Sequence, residues 1–424
     1  MKFSRRWLGG WIAVSLLMGG AVAAQDAPTS LLFRRLHRDI IVNADIWSAQ
    51  PEILSAGYGF DNIIGVDGGE AEVRAAGGAW NTVECSSGAD PARSVLTSSA
   101  PADNLTNLFD QPTNYSDGLP VVFSMPVLPS TVNHTDFLVT LNTGVTVVPD
   151  SASIYPNWEL NERHVVVLFG QFGNRLITGE AGAEYVVRVD VVADATPLTL
   201  VAPSGLVTAV GLFKESTLSP YESGPYLVGA KLNRISAEGE GGVQFLNANM
   251  PNDGITLYGV EAQYRLRLFT SGGFSPDGVR GLRPNAYEDH FRIQATRASG
   301  RPLMIEEVGL NYTVRGGTIR VIGLADLGRG LAFTFSGHPV IAYDDCYEED
   351  HDNYIDIILA GDEEAMRSIT AVEIPAAGDY MPFYNPGGPG NNPTPGVRYT
   401  APGPADLEPV IIALDDPLVV SYQG

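Results

Sequence analysis

Asp136-Phe137-Leu138-Val139-Thr140-Leu141-Asn142-Thr143-Gly144 is the stretch from which the fold can be read. Phe137, Val139 and Leu141 recur with a period of two, which places them on one face of a pleated chain. Asn142-Thr143-Gly144 then supplies residues suited to a tight turn. Val145 to Val148 follows, and further strand-like runs come at Arg163 to Phe169, Tyr185 to Val192 and Leu198 to Val201. Short strands at close intervals with turn residues between them predict a β-sandwich over 119–205.

Ala202-Pro203-Ser204-Gly205 marks a boundary, and a second strand-rich region runs from there to about Ala342. Its runs are Tyr226 to Ile235, Gly254 to Phe269, His290 to Ala295, Met304 to Val314, Thr318 to Ile322 and Leu331 to Phe335. The alternation of Tyr264-Arg265-Leu266-Arg267-Leu268 puts both arginines on one face, expected to point outward. Before these regions, 25–118 reads as short strands in irregular loops. After them, 343–424 holds an acidic loop and a Pro/Gly-rich extension with Tyr380, Phe383, Tyr384 and Tyr399 interleaved. The fold class predicted is therefore all-β: tandem sandwiches over 119–205 and 206–342 with a C-terminal Pro/Gly-rich extension. The 47 Gly and 29 Pro fit a turn-rich β chain better than helical bundles. A length of 424 residues fits two to three domains.

The run Asp136 to Gly144, the strand Val165-Val166-Val167-Leu168 and the strand Gly182-Ala183-Glu184-Tyr185-Val186-Val187-Arg188-Val189 resemble the bacterial immunoglobulin-like repeats of surface and adhesion proteins. The likeness extends over about residues 134–192. It implies an immunoglobulin-like sandwich used as a spacer. Pro156-Asn157-Trp158-Glu159-Leu160-Asn161-Glu162-Arg163 departs from that pattern and reads as a hairpin tip with a half-buried Trp158.

Lys2, Arg5 and Arg6, the apolar run Trp7 to Met18 and the small residues Ala21-Val22-Ala23-Ala24 make 1–24 a signal peptide. Ser4-Arg5-Arg6-Trp7-Leu8 leaves two export routes open, general secretory and twin-arginine. The mature chain is then secreted or periplasmic. Removing the three signal-peptide cations lowers the formal charge of -23 to -26. Such a chain repels nucleic acid and anionic membranes, and no later run is long and apolar enough to span a bilayer as a helix.

In an oxidising compartment the only two cysteines, Cys85 and Cys346, are expected to form a disulfide, the alternative being two buried thiols. Cys346 sits in the densest acidic stretch, Tyr343 to Asp356, which contains no Lys or Arg. Hard cations such as Ca2+ need six to eight oxygen ligands, and Asp344, Asp345, Asp350, Asp352 and Asp356 are the candidate donors. Their spacing is not that of an EF-hand, since Ile355 and Gly361 stand where Gly and Glu are required. A solvated acidic loop is the competing reading.

No nucleophile elbow, zinc-protease helix or phosphate-binding glycine loop occurs. The six histidines are scattered, and Glu288-Asp289-His290 is the other cluster that merits inspection. Two functional classes therefore remain. The first is a non-enzymatic binding or structural protein, calcium-stabilised, that contacts a protein or glycan. The second is a secreted polysaccharide hydrolase, which requires two carboxylates about 5 to 9.5 Å apart in a cleft.

Overall fold

The computed structural model describes residue 34 and residues 36–57, 59–84, 93–102, 113–157, 159–216, 219–235, 254–325 and 352–424. They form an all-β protein of several sheets with a few short helices.

Ile53–Ala56, Ser116–Phe123, Val165–Gly170 and Ser151–Ser153 lie side by side in one sheet, and Phe60–Ile64 also pairs with Ser116–Phe123. A second sheet has the order Phe213–Glu215, Val186–Val191, Phe137–Leu141, Thr146–Val147. Val139 is registered against Val189 and Val147 within it. Leu119, Val121, Phe123, Val166 and Leu168 from the first sheet share one core with Phe137, Val139, Val186 and Val189 from the second.

The side chains between them in sequence point the other way. Val122, Val165, Val167 and Phe169 join a separate cluster with Trp47, Phe269 and Tyr354. Ser116–Phe123 and Val165–Gly170 are thus covered on both faces, which explains the unbroken apolar run Val165-Val166-Val167-Leu168-Phe169.

The largest sheet has nine strands in the order Pro302–Ile305, Arg292–Thr296, Ile369–Ile374, Asp406–Ile412, Leu227–Arg234, Tyr264–Thr270, Tyr354–Gly361, Gly317–Ala325, Tyr312–Val314. Leu227–Arg234 runs parallel to Asp406–Ile412 and antiparallel to Tyr264–Thr270. Strands from both sides of residue 343 enter this sheet, and Tyr354–Gly361 sits in its interior between Tyr264–Thr270 and Gly317–Ala325. One face buries Leu232, Leu266, Leu268, Ile355, Ile357 and Leu359. Phe383, from the Pro/Gly-rich stretch, is buried in the same core.

The ends of the described chain meet. Ile40–Asp45 pairs antiparallel with Val419–Gln423, with Asp45 opposite Val419. Trp47 follows and lies on the nine-stranded sheet at Gly229, where a Cβ would come within 2.5 Å of the indole. A side chain at 229 would lift Trp47 off the sheet.

Three local expectations change. The run Gly254 to Phe269 opens with helical turns, Gly254–Tyr258 and Gly259–Glu261, and becomes strand only at Tyr264–Thr270. Met304 to Val314 splits into Pro302–Ile305 and Tyr312–Val314, with Gly309 at a φ of +79° between them. Glu288, Asp289 and His290 belong to the short helix Tyr287–His290, and the strand expected from His290 begins only at Arg292. Trp158 and Leu331 to Phe335 lie outside the described residues.

Candidate functional site

The strand Tyr264–Thr270 alternates as expected, but both of its faces are covered. Tyr264, Leu266 and Leu268 point into the apolar core, and Arg265, Arg267 and Phe269 point at the neighbouring sheet. The arginines are therefore not on the surface: Arg265 is 3% exposed and Arg267 is 0% exposed. The same alternation brings Lys231 and Asn233 from Leu227–Arg234, and Tyr354 and Asp356 from Tyr354–Gly361, onto this face. Opposite them stand Asp45, Trp47, Glu162 and His164.

The result is a sealed ionic cluster of three cations and three carboxylates. Arg267 grips Asp356 through two parallel bonds, Nε to Oδ1 at 2.8 Å and Nη2 to Oδ2 at 3.0 Å. Its Nη1 lies 2.9 Å from Glu162 Oε1 and 3.5 Å from Asp45 Oδ2. Lys231 Nζ is 2.5 Å from Asp45 Oδ1, and Arg265 Nη2 is 3.3 Å from the same oxygen. Lys231 also donates to the Leu418 carbonyl at 2.8 Å, and Asn233 Nδ2 donates to that of Pro417 at 3.0 Å. The C-terminal turn thereby helps hold the cluster.

Aromatic rings wall it in. Trp47 stacks on Phe269 with centroids 5.0 Å apart, and Phe269 on Tyr354 at 4.4 Å. Lys231 Nζ lies 5.6 Å from the Trp47 ring and the Arg267 guanidinium 5.0 Å from that of Tyr354. His164 bridges the two sides: Nε2 is 2.6 Å from the Asp45 carbonyl and Nδ1 is 2.7 Å from the Tyr354 hydroxyl. A carbonyl only accepts, so Nε2 carries the proton and Nδ1 accepts from Tyr354. This is neutral imidazole, consistent with burial pulling the His164 pKa down to about 4.

Burial and charge pull against each other in this cluster. Burial by itself raises the Asp45 pKa, but Lys231, Arg265 and Arg267 reverse this and hold the carboxyl well below its ordinary range. Burial lowers the Lys231 pKa, with Asp45 opposing. For Arg267, Asp356 and Glu162 overcome burial and raise the guanidinium pKa further. Buried charges persist only where they are paired and hydrogen-bonded in this manner.

Glu162 and Arg163 come from the 156–163 insertion, expected to be a hairpin tip, and His164 directly follows it. Its described polar residues Asn157, Glu159, Asn161, Glu162 and Arg163 are all buried to within 1%. The insertion is a polar plug between two sheets.

Of the candidate metal ligands, Asp344, Asp345 and Asp350 lie outside the described residues, as do Cys85 and Cys346. Asp356 is held by Arg267, and Asp352 Oδ1 accepts the Tyr354 N–H at 2.6 Å. Among the described residues no group of three or more His, Cys, Asp and Glu is arranged to hold a metal ion. His290 is buried and stacks on Phe383 at 4.4 Å, and burial lowers its pKa to about 4. Glu288 and Asp289 are exposed, and Glu288 accepts the Val308 N–H at 2.7 Å, so of that cluster only His290 packs the core.

Two further carboxylates are buried away from cations. Burial, reinforced by Asp61, lifts Asp117 to about 8, and burial, reinforced by Asp194, lifts Asp136 to about 7. Asp117 Oδ2 accepts the Phe172 N–H at 2.5 Å and Asp136 Oδ1 accepts the Leu198 N–H at 3.0 Å. Both pin loops.

Beside the ionic cluster a cleft opens along the seam of the sheets, walled by Phe60, Ile64, Tyr155, Pro156, Phe169 and Pro386. It has room of about 120 Å3, and a more polar recess of about 380 Å3 with Thr97, Ser98 and Ser275 adjoins it. Among the described residues its walls carry no carboxylate.

No family model, curated protein or solved structure matches this chain.

Proposed function

We propose that this is an exported, non-enzymatic binding protein that seats an apolar group of a protein partner in the seam cleft. The observation that carries the reading is the lining of that cleft, in which aromatic, aliphatic and proline side chains predominate. Room of about 120 Å3 is close to what a dry cavity needs to hold one benzene-sized ring. A sugar ring fits less well, because its hydroxyls need several partners. The amides at hand are those of Asn353 and Asn385, and Asn353 Nδ2 already donates to the Thr270 carbonyl at 2.8 Å.

Export rests on the signal-like pattern of 1–24. The non-catalytic role rests on the pairing of buried charge with buried charge and on the spacer-like resemblance of 134–192. We read 119–205 as an immunoglobulin-like sandwich on the same resemblance. The hydrolase alternative needs two carboxylates in the cleft, and the described walls do not support it.

A displayed peptide library probed with the wild type and with Tyr155→Asp tests this. Enriched peptides should share a single aromatic or branched aliphatic anchor and bind the variant at least tenfold more weakly, about 1.4 kcal/mol. Equal binding to both proteins would remove the cleft from the function.

A further inference from the structure

The chain contains three lysines, Lys2, Lys214 and Lys231, and Lys231 is fully buried. Its Nζ is 2.5 Å from Asp45 Oδ1, below the 2.7–2.9 Å of an ordinary charge-assisted bond. The electrophilic Cγ is one covalent bond beyond that oxygen. Two packed strands hold amine and carboxyl together, so their reaction is unimolecular, and intramolecular geometry of this kind replaces very high reagent concentrations. Both side chains are 0% exposed. Bulk water, the reagent that would hydrolyse an amide, has no access.

We propose that Lys231 and Asp45 condense into an intramolecular amide that ties the N-terminal strand Ile40–Asp45 to the middle of the nine-stranded sheet. The step starts from the ion pair. Lys231 transfers a proton to Asp45, the free amine attacks Cγ, the C–N bond forms and one C–O bond breaks. Of the three ammonium protons, one stays on the amide nitrogen and two depart with the carboxylate oxygen as water. Nothing is oxidised or reduced, and no outside reagent is consumed.

The surroundings suit this chemistry. Arg265 Nη2 at 3.3 Å and Arg267 Nη1 at 3.5 Å face the two Asp45 oxygens, where negative charge gathers as the tetrahedral centre forms. By favouring ionised Asp45 these arginines oppose the proton transfer, and once it has occurred they polarise the acid and favour the attack. The Leu418 carbonyl, 2.8 Å from Nζ, orients the amine. Charge also balances on both sides of the reaction: the cluster has three of each sign before it and two of each after it, with Arg267 still paired to Glu162 and Asp356.

Mass spectrometry of the purified full chain tests the proposal directly. The unmodified protein is digested with trypsin, which cleaves after Lys231 only if the amine is free. The expected result is one branched peptide joining the segments of Asp45 and Lys231, lighter by one water than their sum. The Asp45→Asn variant should give the same branched species with loss of ammonia in place of water, and Lys231→Arg should give none. Recovery of wild-type peptides cleaved after Lys231 at their sequence mass would show an ion pair only and overturn the proposal. This readout is independent of any ligand and of the cleft.

Discussion

The sheet built on Ser116–Phe123 and Val165–Gly170 has two buried faces that could hardly differ more. One meets the Phe137–Leu141 sheet through Val121, Phe123, Val139 and Val189 and is apolar. The other meets the nine-stranded sheet through an aromatic stack, beside which lie Asp45, Lys231, Arg265, Arg267 and Asp356. On the first face each large buried side chain contributes roughly 1.5–3 kcal/mol, almost regardless of small shifts in position. On the second, desolvation consumes most of the Coulombic gain. A displaced register there leaves charges unpaired, so the ionic face contributes less net stability than orientation. Two sheets joined by apolar contacts alone have several acceptable ways to dock. The contacts of Arg267 with Glu162 and of Lys231 and Arg265 with Asp45 select one.

Replacing Arg267 by Met should break this contrast most severely, because Asp356 and Glu162 would be left buried without their partner. A loss of about 3–5 kcal/mol in urea unfolding is expected, with partial recovery when Asp356→Leu is added. A loss below about 1 kcal/mol would mean that the cluster does not differ from a surface pair.

The next effect is a pH dependence confined to the ionic face. His164 has a folded pKa of about 4 against about 6.5 unfolded. Below pH 6.5 the unfolded chain takes up a proton that the folded one refuses. Stability from His164 is therefore complete above pH 6.5 and falls until about pH 4, by about 3 kcal/mol in all. Asp117 and Asp136, whose folded pKa values are raised, pull the other way over the same range. The quantity to measure is therefore the difference between wild type and His164→Gln, in which those shared contributions cancel. A flat difference would place solvent at His164.

On the apolar face, Val139→Ala should cost about 2 kcal/mol by chemical denaturation, with no pH dependence between 4 and 7. A pH-dependent cost there would show that the two faces are coupled. The smallest expected effect is at the surface pair of Arg398 with Glu180, 2.9 Å apart and about two-fifths exposed. Arg398→Ala should change stability by less than about 1 kcal/mol, and less still in high salt.

Much of the fold was legible. Phe137–Leu141 and Val165–Gly170 are strands where alternation and apolar runs placed them. The ionic cluster was not, since its members lie at 45, 162, 231, 265, 267 and 356 and no local spacing connects them. Three faint signals existed: Lys231 within the apolar run Leu227 to Leu232, the two arginines alternating with apolar residues at 264–268, and Asp356 flanked by Ile355 and Ile357. Each has a charge where a core-facing strand has none, and each is equally what a half-exposed strand looks like. Acidic residues are densest instead at 344–356, and of the acids there only Asp352 and Asp356 fall among the described residues.

Sequence alone determined that this chain is built from strands, and roughly where they begin and end. Strand formation depends on a two-residue period and on turn residues, both local properties. Tertiary structure decided what each face meets. A pleat assigns Arg265 and Arg267 to the side opposite Leu266, but whether that side meets water or a second sheet depends on segments more than a hundred residues away. The same long-range packing turned two apparently outward arginines into the centre of a buried salt cluster.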